Sequence, residues 1–148
     1  MRLEEVPWPE FGRSLYARPG TSDRRVIEDA MSGRYHLPPD SMPEPRSVLD
    51  VGCNIGATTA HYQYLWPAAE IVGVEMDYWN ARVAERNVPD IRIRCEAVSG
   101  TGGIVTYDPG VEAEAYRLLP PNSPGEHVPS YTLSQIILRS FEQPPPEE

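Results

Sequence analysis

The predicted fold of this chain depends most on the segment Ser47–Gly56, which has the sequence SVLDVGCNIG. Residues Val48–Val51 have the short, continuous apolar character of a strand buried on both faces. The two glycines of the following turn, Gly52 and Gly56, permit a tight backbone path and a close approach of ligand to backbone. Asn54 is among the few residue types other than glycine that tolerate a positive φ. A strand, a glycine turn and a helix in this order are typical of nucleotide-binding α/β proteins.

Strand and helix patterns alternate after this segment. The predicted elements are a helix over residues 57–66 that Pro67 ends, a strand over Ile71–Val74, a helix over Tyr78–Asn87 and a strand over Ile91–Val98. Three strands joined by helices within about 50 residues imply right-handed crossovers and a parallel sheet. We therefore predict an α/β fold, a Rossmann-like doubly wound parallel sheet with a βαβαβ core.

The amino-terminal part, residues 1–45, is rich in proline and charge and predicts one helix. Ser22 or Asp23 can cap that helix and Gly33 can end it. The residues from Leu37 to Pro45 predict an extended linker. We treat residues 1–45 as an amino-terminal helical and linker segment that precedes the domain.

The part after the third strand predicts less regular structure. Residues 104–107 are expected to return as a β-hairpin strand, and residues 108–130 form an acidic, proline-rich loop. Thr132 can cap a last helix. The predicted domain therefore spans residues 46–141, and residues 142–148 form a Pro/Glu-rich tail.

The amino-acid composition limits the classes of partner and the cellular compartment that we expect for this chain. The 148 residues carry a net charge of −9, and all 13 basic residues are arginine. An acidic surface disfavours broad binding to nucleic acid, which needs a basic stripe. No apolar run approaches the ~20 residues that cross a bilayer, and the first residues lack the apolar region of a signal peptide. Two cysteines are too few for a disulfide framework, so we expect a cytoplasmic protein with no membrane partner.

Two carboxylates stand where a nucleotide-like ligand would need them. Asp50 lies at the end of the first strand and is suited to bind an amino group of the ligand. Glu75 ends the second strand, 23 residues after Gly52, where an acidic side chain can accept both ribose hydroxyls. This spacing predicts a ligand with a ribose and an amino group.

Three further residues extend the predicted cofactor site. Met76 can pack on an adenine face or belong to the core. Glu96 and Ala97 end the third strand, where a carboxylate or backbone amides can meet the adenine edge. A glutamate at such an edge can also remain a solvated charge.

Two cofactors compete for this site, S-adenosylmethionine (SAM) and NAD. Gly52, Asn54 and Ala57 fit the dinucleotide pattern G-x-G-x-x-G/A except at Asn54. That departure removes the glycine whose missing side chain admits the pyrophosphate. SAM has no pyrophosphate, so the pattern favours SAM.

Four blocks of this sequence, together covering about residues 46–138, resemble the FkbM-type SAM-dependent methyltransferases, a class I Rossmann-like family. They are VLDVGCNIG at 48–56, VGVE at 72–75, AVSG at 97–100 and YTL at 131–133. The resemblance implies O-methylation of a hydroxyl on a small metabolite or glycan.

The chain also departs from this family. Ser134 stands where the family commonly has an acidic residue, and the next core strand with its Asp-x-Glu-Gly motif is missing. We therefore expect a sheet without the strands beyond its first one. An open edge of this kind needs a cover, because unpaired strands aggregate. The candidates are a second copy or partner chain, the amino-terminal segment, or residues 128–138.

Methyl transfer from a sulfonium depends mainly on positioning, and an alcohol acceptor also needs a base. The candidate bases are His36, His61 and His127, of which His61 is nearest to the glycine turn in sequence. No cluster has metal-ligand spacing, so no metal is predicted. Two alternatives stay open: a truncated, non-catalytic binding or interaction module, and an NAD-dependent oxidoreductase.

Overall fold

A computed structural model describes residues 1–109 and 117–141 and shows a mixed α/β fold. Its strands are β1 Glu4–Trp8, β2 Arg13–Ala17, β3 Ser47–Val51, β4 Glu70–Glu75, β5 Arg92–Cys95, β6 Ala97–Val98, β7 Gly103–Asp108, β8 Arg117–Leu119 and β9 Glu126–Tyr131. Its helices are α1 Asp23–Met31, α2 Ala57–Leu65, α3 Tyr78–Asn87 and α4 Leu133–Phe141.

A parallel sheet with the strand order β3-β4-β5 forms the centre of the fold. Helices α2 and α3 connect its strands, so the predicted βαβαβ arrangement is confirmed. β4 is buried from Ile71 to Glu75 because it has a paired strand on each side. Parallel strands place their carboxyl ends at one edge, so the ends of β3, β4 and β5 meet there.

β3 is an edge strand, and the prediction that it is buried on both faces is wrong. Within the described residues β3 pairs only with β4, and Val51 is 48% exposed. β9 does not cover this edge, because it pairs with β6 instead. A groove beside the edge is lined by Val48 and Leu49 together with Met42 of the linker.

The predicted third strand is interrupted at Glu96, which separates β5 from β6. β6 runs parallel to β9, and β9 lies between β6 and the antiparallel strand β7. The predicted direct hairpin between the third strand and residues 104–107 is therefore wrong.

The predicted loop at 108–130 contains two strands, β8 and β9. In β9 the buried Val128 and Ser130 alternate with exposed neighbours, a two-residue period that Pro129 obscures in the sequence. Residues 110–116 of that predicted loop and the tail at 142–148 lie outside the described residues.

The amino-terminal segment folds onto the helices of the domain. The hairpin of β1 and β2, which the sequence analysis did not predict, buries Trp8 and Leu15 completely. These side chains share one core with Ile27 of α1, Ala60 of α2 and Val83 of α3. Residues 1–45 and the predicted domain therefore share a single hydrophobic core.

The helix ends follow ordinary capping rules. Helix α1 matches the prediction, but Thr21 accepts the hydrogen bond from the Asp23 backbone N–H instead of a Ser22 or Asp23 side-chain cap. The Asp23 carboxylate is paired with Arg18. Thr132 caps α4 as predicted, in a reciprocal pair with Gln135.

No helix within the described ranges combines the length and the apolar character that a membrane crossing requires.

Asn87 joins the amino-terminal hairpin to the glycine turn and is fully buried. Its side chain accepts a hydrogen bond from the Tyr16 N–H at 2.6 Å. It also donates to the carbonyls of Tyr16 at 3.1 Å and Ile55 at 2.7 Å. This one amide therefore satisfies three backbone groups of two separate segments.

We expect Asn87→Ala to lower the free energy of unfolding by roughly 2–4 kcal/mol, because it leaves buried backbone groups unpaired. Urea unfolding measures the change. The control is Asn122→Gly in an exposed turn with φ of 66°, which glycine adopts without strain. Equal stabilities of the two variants would contradict the role given to Asn87.

Candidate functional site

Two neighbouring cavities open at the carboxyl ends of β3 and β4. The first, which we call the glutamate cleft, has a volume of about 300 Å³. It is lined by six of the eight residues predicted to bind the cofactor, Gly52, Asn54, Glu75, Met76, Glu96 and Ala97. The second, the histidine cavity, has a volume of about 320 Å³ and contains Asp50. Gly56 lines neither.

Glu75 is the buried centre of the glutamate cleft. Its Oε2 accepts a hydrogen bond from the Asn54 backbone N–H at 2.9 Å, and its Oε1 accepts one from the Asp77 N–H at 2.8 Å. Burial raises the pKa of this carboxyl above its ordinary value. Glu75 thus fixes the glycine turn against the start of α3.

Asn54 and Gly52 shape the wall between the two cavities, and both line each of them. Asn54 has a φ of 51°, the left-handed conformation expected for this turn. Its Oδ1 is buried and has no hydrogen-bond partner among the described residues. A buried acceptor without a donor is unusual in a folded protein, so Asn54 Oδ1 is suited to meet a ligand donor.

The two glycines of the turn have different surroundings, although each has a φ of 78°. A Cβ added to Gly52 would meet no atom within 4 Å, which leaves the backbone open to a ligand. A Cβ added to Gly56 would lie 3.2 Å from the Cα and Cβ of Ala84. Gly56 therefore serves the contact between α2 and α3, and it lines neither cavity.

Glu96 is ion-paired rather than solvated. It is buried, and it accepts from Arg94 Nε at 2.5 Å and from Arg139 Nη2 at 3.5 Å. This pairing links the cleft to α4. Ala97 is buried beside it. Met76 lines the cleft and packs against the small core of the second sheet, which has the strand order β6-β9-β7-β8.

Asp50 lines the histidine cavity. Its Oδ2 accepts hydrogen bonds from the hydroxyls of Thr58 and Thr59, both at 2.7 Å. Burial raises the pKa of this carboxyl above its ordinary value, although the two hydroxyls oppose that shift. Asp50 is therefore placed beside the glycine turn, as predicted, but in the neighbouring cavity.

The amino-terminal segment supplies one wall of the histidine cavity. Asp29 of α1 and the following Tyr35 and His36 line it, opposite Thr58 and Tyr62 of α2. Of these only His36 was among the predicted candidates, as one of three possible bases. In the sequence, α1 has the pattern of an ordinary amphipathic helix, and a short connection follows it. Neither pattern predicts that Asp29, Tyr35 and His36 line a cavity beside the glycine turn.

His61 does not line either cavity. It is buried against Trp8 and Phe11, and its Nδ1 lies 3.2 Å from the Ala30 carbonyl oxygen and 2.8 Å from His36 Nε2. His127 is exposed on β9, where its Nδ1 lies 3.0 Å from the Thr106 hydroxyl. His36 is therefore the one predicted base that reaches a cavity.

We assign the tautomer of His36 from the contacts of His61. A carbonyl oxygen only accepts, so His61 Nδ1 carries a hydrogen and directs it towards the Ala30 carbonyl and His36 Nε2. His36 Nε2 is then an acceptor, and neutral His36 carries its hydrogen on Nδ1. That Nδ1 has no hydrogen-bond partner within residues 1–109 and 117–141. His36 thus presents a donor rather than a free base.

Both imidazoles are uncharged at neutral pH. Burial and the neighbouring His61 lower the pKa of His36 to about 4, and burial also lowers the pKa of His61. No group of three or more His, Cys, Asp or Glu side chains in the described part of the chain could hold a metal ion.

No protein-family model matches this chain, and no curated protein matches it either.

We expect Gly56→Ala to destabilise the protein more than Gly52→Ala. Each substitution places a Cβ at a positive φ, which costs about 1–2 kcal/mol. Gly56→Ala also forces its Cβ against Ala84, which adds at least about 1 kcal/mol. Urea unfolding of the two variants checks this order, and an equal cost would contradict the packing role of Gly56.

We expect His36 to make the free energy of unfolding depend on pH. The dependence lies between the pKa of His36 in the unfolded chain and its lower pKa in the folded state. The folded state binds fewer protons between pH 6.5 and about 4, so stability falls as the pH is lowered through this range. The raised pKa values of Asp50 and Glu75 act in the opposite direction, so a variant must isolate the histidine.

The variant is His36→Gln, which should flatten this slope in urea unfolding measured across the range. His127→Gln changes a histidine outside both cavities and is the matched control. Equal slopes in the wild type and His36→Gln would contradict the assigned environment of His36.

Proposed function

We propose that this chain binds SAM at the carboxyl edge of its parallel sheet and transfers the methyl group to a hydroxyl of a small metabolite or glycan. The observation that carries the proposal is the buried Glu75 at the end of the central strand. It lies beside a glycine turn whose backbone is open at Gly52 and whose Asn54 Oδ1 has no hydrogen-bond partner in the part of the chain that the structure describes.

The glutamate cleft fits the nucleoside part of SAM. An ionised carboxylate offers about four acceptor positions, and Glu75 uses two of them for backbone N–H groups. The remaining positions suit ribose hydroxyls. Met76 and Ala97 supply apolar surface for the adenine, and the cleft volume of about 300 Å³ lies within the range of ligand sites.

The histidine cavity fits the methionine part. It shares Val51, Gly52 and Asn54 with the glutamate cleft, so one ligand can extend across the turn. Asp50 then meets the amino group, which is a charge-assisted contact between a carboxylate and an ammonium. Asn54 Oδ1, at the boundary, accepts from a donor of the same ligand.

Positioning is the contribution that this chain makes to methyl transfer. SAM supplies an activated methyl group on a sulfonium. Because the displacement is in-line, a fixed turn and two adjacent cavities reduce the entropic cost of aligning the acceptor. The hydrogen-bonded Glu75 and Asp50 hold that arrangement, and His36 orients a ligand acceptor atom through its Nδ1–H.

NAD fits less well. Dinucleotide sites need a glycine at the position of Asn54 so that the pyrophosphate can approach the backbone. Here Asn54, which carries a side chain, stands at that position and lines both cavities.

A second candidate function is SAM binding or partner binding without turnover. The burial of His61 away from both cavities favours it, because the candidate base nearest in sequence does not reach the site. The open edge of β3 adds a surface that a second copy or a partner chain could pair with. Light scattering would detect such an assembly, and a methylation assay with candidate hydroxyl acceptors separates the two functions.

We expect calorimetry to detect binding of SAM and of its product S-adenosylhomocysteine, and no binding of NAD. Glu75→Gln should weaken S-adenosylhomocysteine binding by about tenfold or more, because a charged acceptor for the ribose is lost. Glu70→Gln, an exposed residue at the start of the same strand, is the matched control and should leave binding unchanged.

Absence of binding at roughly millimolar ligand would contradict SAM binding. Equal affinities of Glu75→Gln and Glu70→Gln would contradict the assignment of the site to the glutamate cleft. Circular dichroism of both variants confirms that each is folded before the comparison is made.

A further inference from the structure

The groove beside the open edge of β3, which we call the edge groove, has no part in the proposed SAM site. It has a volume of about 370 Å³ and runs past residues 47–49. Its other lining residues include two prolines, a methionine and two aromatic side chains, namely Pro38, Pro45, Met42, Tyr62 and Trp66. Because His36 is uncharged at neutral pH, no charged side chain lines the groove among the described residues. The edge groove is therefore suited to an uncharged, apolar occupant.

Tyr62 and Trp66 form a flat aromatic surface in this groove. They lie four residues apart at the end of α2, and their rings stack with centroids 5.3 Å apart and an angle of 12° between the planes. The Tyr62 hydroxyl donates to the His36 carbonyl at 2.9 Å, which fixes its ring. Grooves lined by aromatic side chains bind proline-rich segments in the polyproline II conformation, because that helix is preformed and loses little entropy on binding.

The chain itself contains a segment of this kind. Residues 143–148, with the sequence QPPPEE, include the one run of three consecutive prolines in the sequence. Three prolines favour one turn of polyproline II helix, whose backbone carbonyls remain free to accept hydrogen bonds. Trp66 brings an indole N–H, which only donates, to the same groove. The two surfaces thus match in shape and in hydrogen-bonding groups.

The tail is long enough to reach the edge groove. Arg139, in the last turn of α4, lies 3.5 Å from the Glu96 carboxylate, so α4 ends near Glu96. Strand pairing places Leu49 beside Val72 and Val72 beside Arg92, four residues before Glu96. Two strand spacings and four residue rises separate Glu96 from Leu49 by about 16 Å. The seven residues after α4 span about 22 Å in the polyproline II conformation.

One cation beside the edge groove complements the acidic end of the tail. Arg46 is exposed and makes no ion pair within residues 1–109 and 117–141. Glu147 and Glu148 directly follow the prolines of the tail. Asp40 and Glu44 of the linker are also exposed, so the net electrostatic attraction is small and the ring contacts carry the binding.

We infer that the edge groove binds a proline-rich segment on Tyr62 and Trp66, and that its occupant is the stretch Gln143–Glu148 of the same chain. Docked there, the tail lies along the open edge of β3. An edge covered in this way is closed to pairing with a strand of another chain, which is how folded proteins limit aggregation. This inference does not rest on SAM binding.

Fluorine NMR of the full chain labelled with 5-fluorotryptophan tests the inference, because the chain has three tryptophans. Trp8 is fully buried, and Trp79 is exposed on α3 and does not line the edge groove. The test variant carries Pro144→Ala, Pro145→Ala and Pro146→Ala, which keep the length and the charge of the tail. We expect the Trp66 signal to differ between this variant and the wild type, and the signals of Trp8 and Trp79 to stay unchanged. Trp66→Phe and Trp79→Phe assign the signals.

A synthetic peptide with the sequence of residues 143–148 is then titrated into the triple variant. We expect it to return the Trp66 signal to its wild-type position with a Kd of about 1 mM, which attachment to the chain converts into predominant docking. The matched control peptide has alanine in place of the three prolines and should have no effect. Arg46→Gln, added to the triple variant, should weaken peptide binding by about twofold, because the contact is exposed.

Several results would overturn the inference. They are identical Trp66 signals in the wild type and the triple variant, equal changes at Trp66 and Trp79, or no saturable effect of the peptide up to roughly 20 mM. A tenfold dilution of the wild type separates the two possible sources of the tail. A constant Trp66 signal supports docking within one chain, and a signal that moves on dilution assigns the tail to a second copy and contradicts it.

Two further measurements keep the test decisive. The Trp8 signal reports whether the core of the triple variant is intact, and if it is not, Pro145→Ala alone repeats the comparison. None of these experiments contains S-adenosylhomocysteine. Failure of tail docking therefore leaves the proposed SAM site untouched, and failure of SAM binding leaves tail docking untouched.

Discussion

The buried carboxylate of Glu75 is the interaction on which the site depends. A buried carboxylate needs hydrogen-bond donors, and here the donors are the backbone N–H groups of Asn54 and Asp77. One side chain at the end of β4 therefore fixes the turn that follows β3 and the first residue before α3. Asp77 extends the connection, because it caps α3 and accepts from the Tyr107 hydroxyl of the second sheet. The edge of the sheet, its glycine turn and the second sheet are thus held in one arrangement.

The amino-terminal segment belongs to the same arrangement. Asn87 joins the β1–β2 hairpin to the glycine turn through its hydrogen bonds. Tyr35 and His36, which follow α1, line the histidine cavity. The pair of His36 and His61 joins that stretch to α2 at 2.8 Å. Residues 1–45, which the sequence predicts as a helical and linker segment before the domain, therefore supply one wall of a cavity and one side of the main core. Because these segments share one core, the two cavities lie side by side at the glycine turn of one folded unit.

The elements with strong local signals could be predicted from the sequence. β3, α2, β4 and α3 were confirmed because each has a continuous apolar run or a clear ending at glycine or proline, and their order fixes which residues meet at the carboxyl edge. Glu75 and Gly52 lie together at that edge for this reason. The close approach of Gly56 to Ala84 could not be predicted from the sequence, because it depends on how α2 packs on α3. The cavity wall at Asp29 and Tyr35, the ion pair of Glu96 with Arg139 and the strand β9 depend on contacts between distant segments, which sequence periodicity does not reveal.

The most direct measurement of the central claim is an amide NMR titration of the isotope-labelled chain with S-adenosylhomocysteine. The account predicts saturable shifts that are largest at the amide signals of residues that line the glutamate cleft, such as Gly52, Asn54, Met76 and Ala97. It also predicts small shifts in β1 and in the exposed residues of β9, none of which lines the cleft. Absence of saturable shifts, or largest shifts away from the cleft, would contradict the claim that this edge binds the nucleoside of SAM.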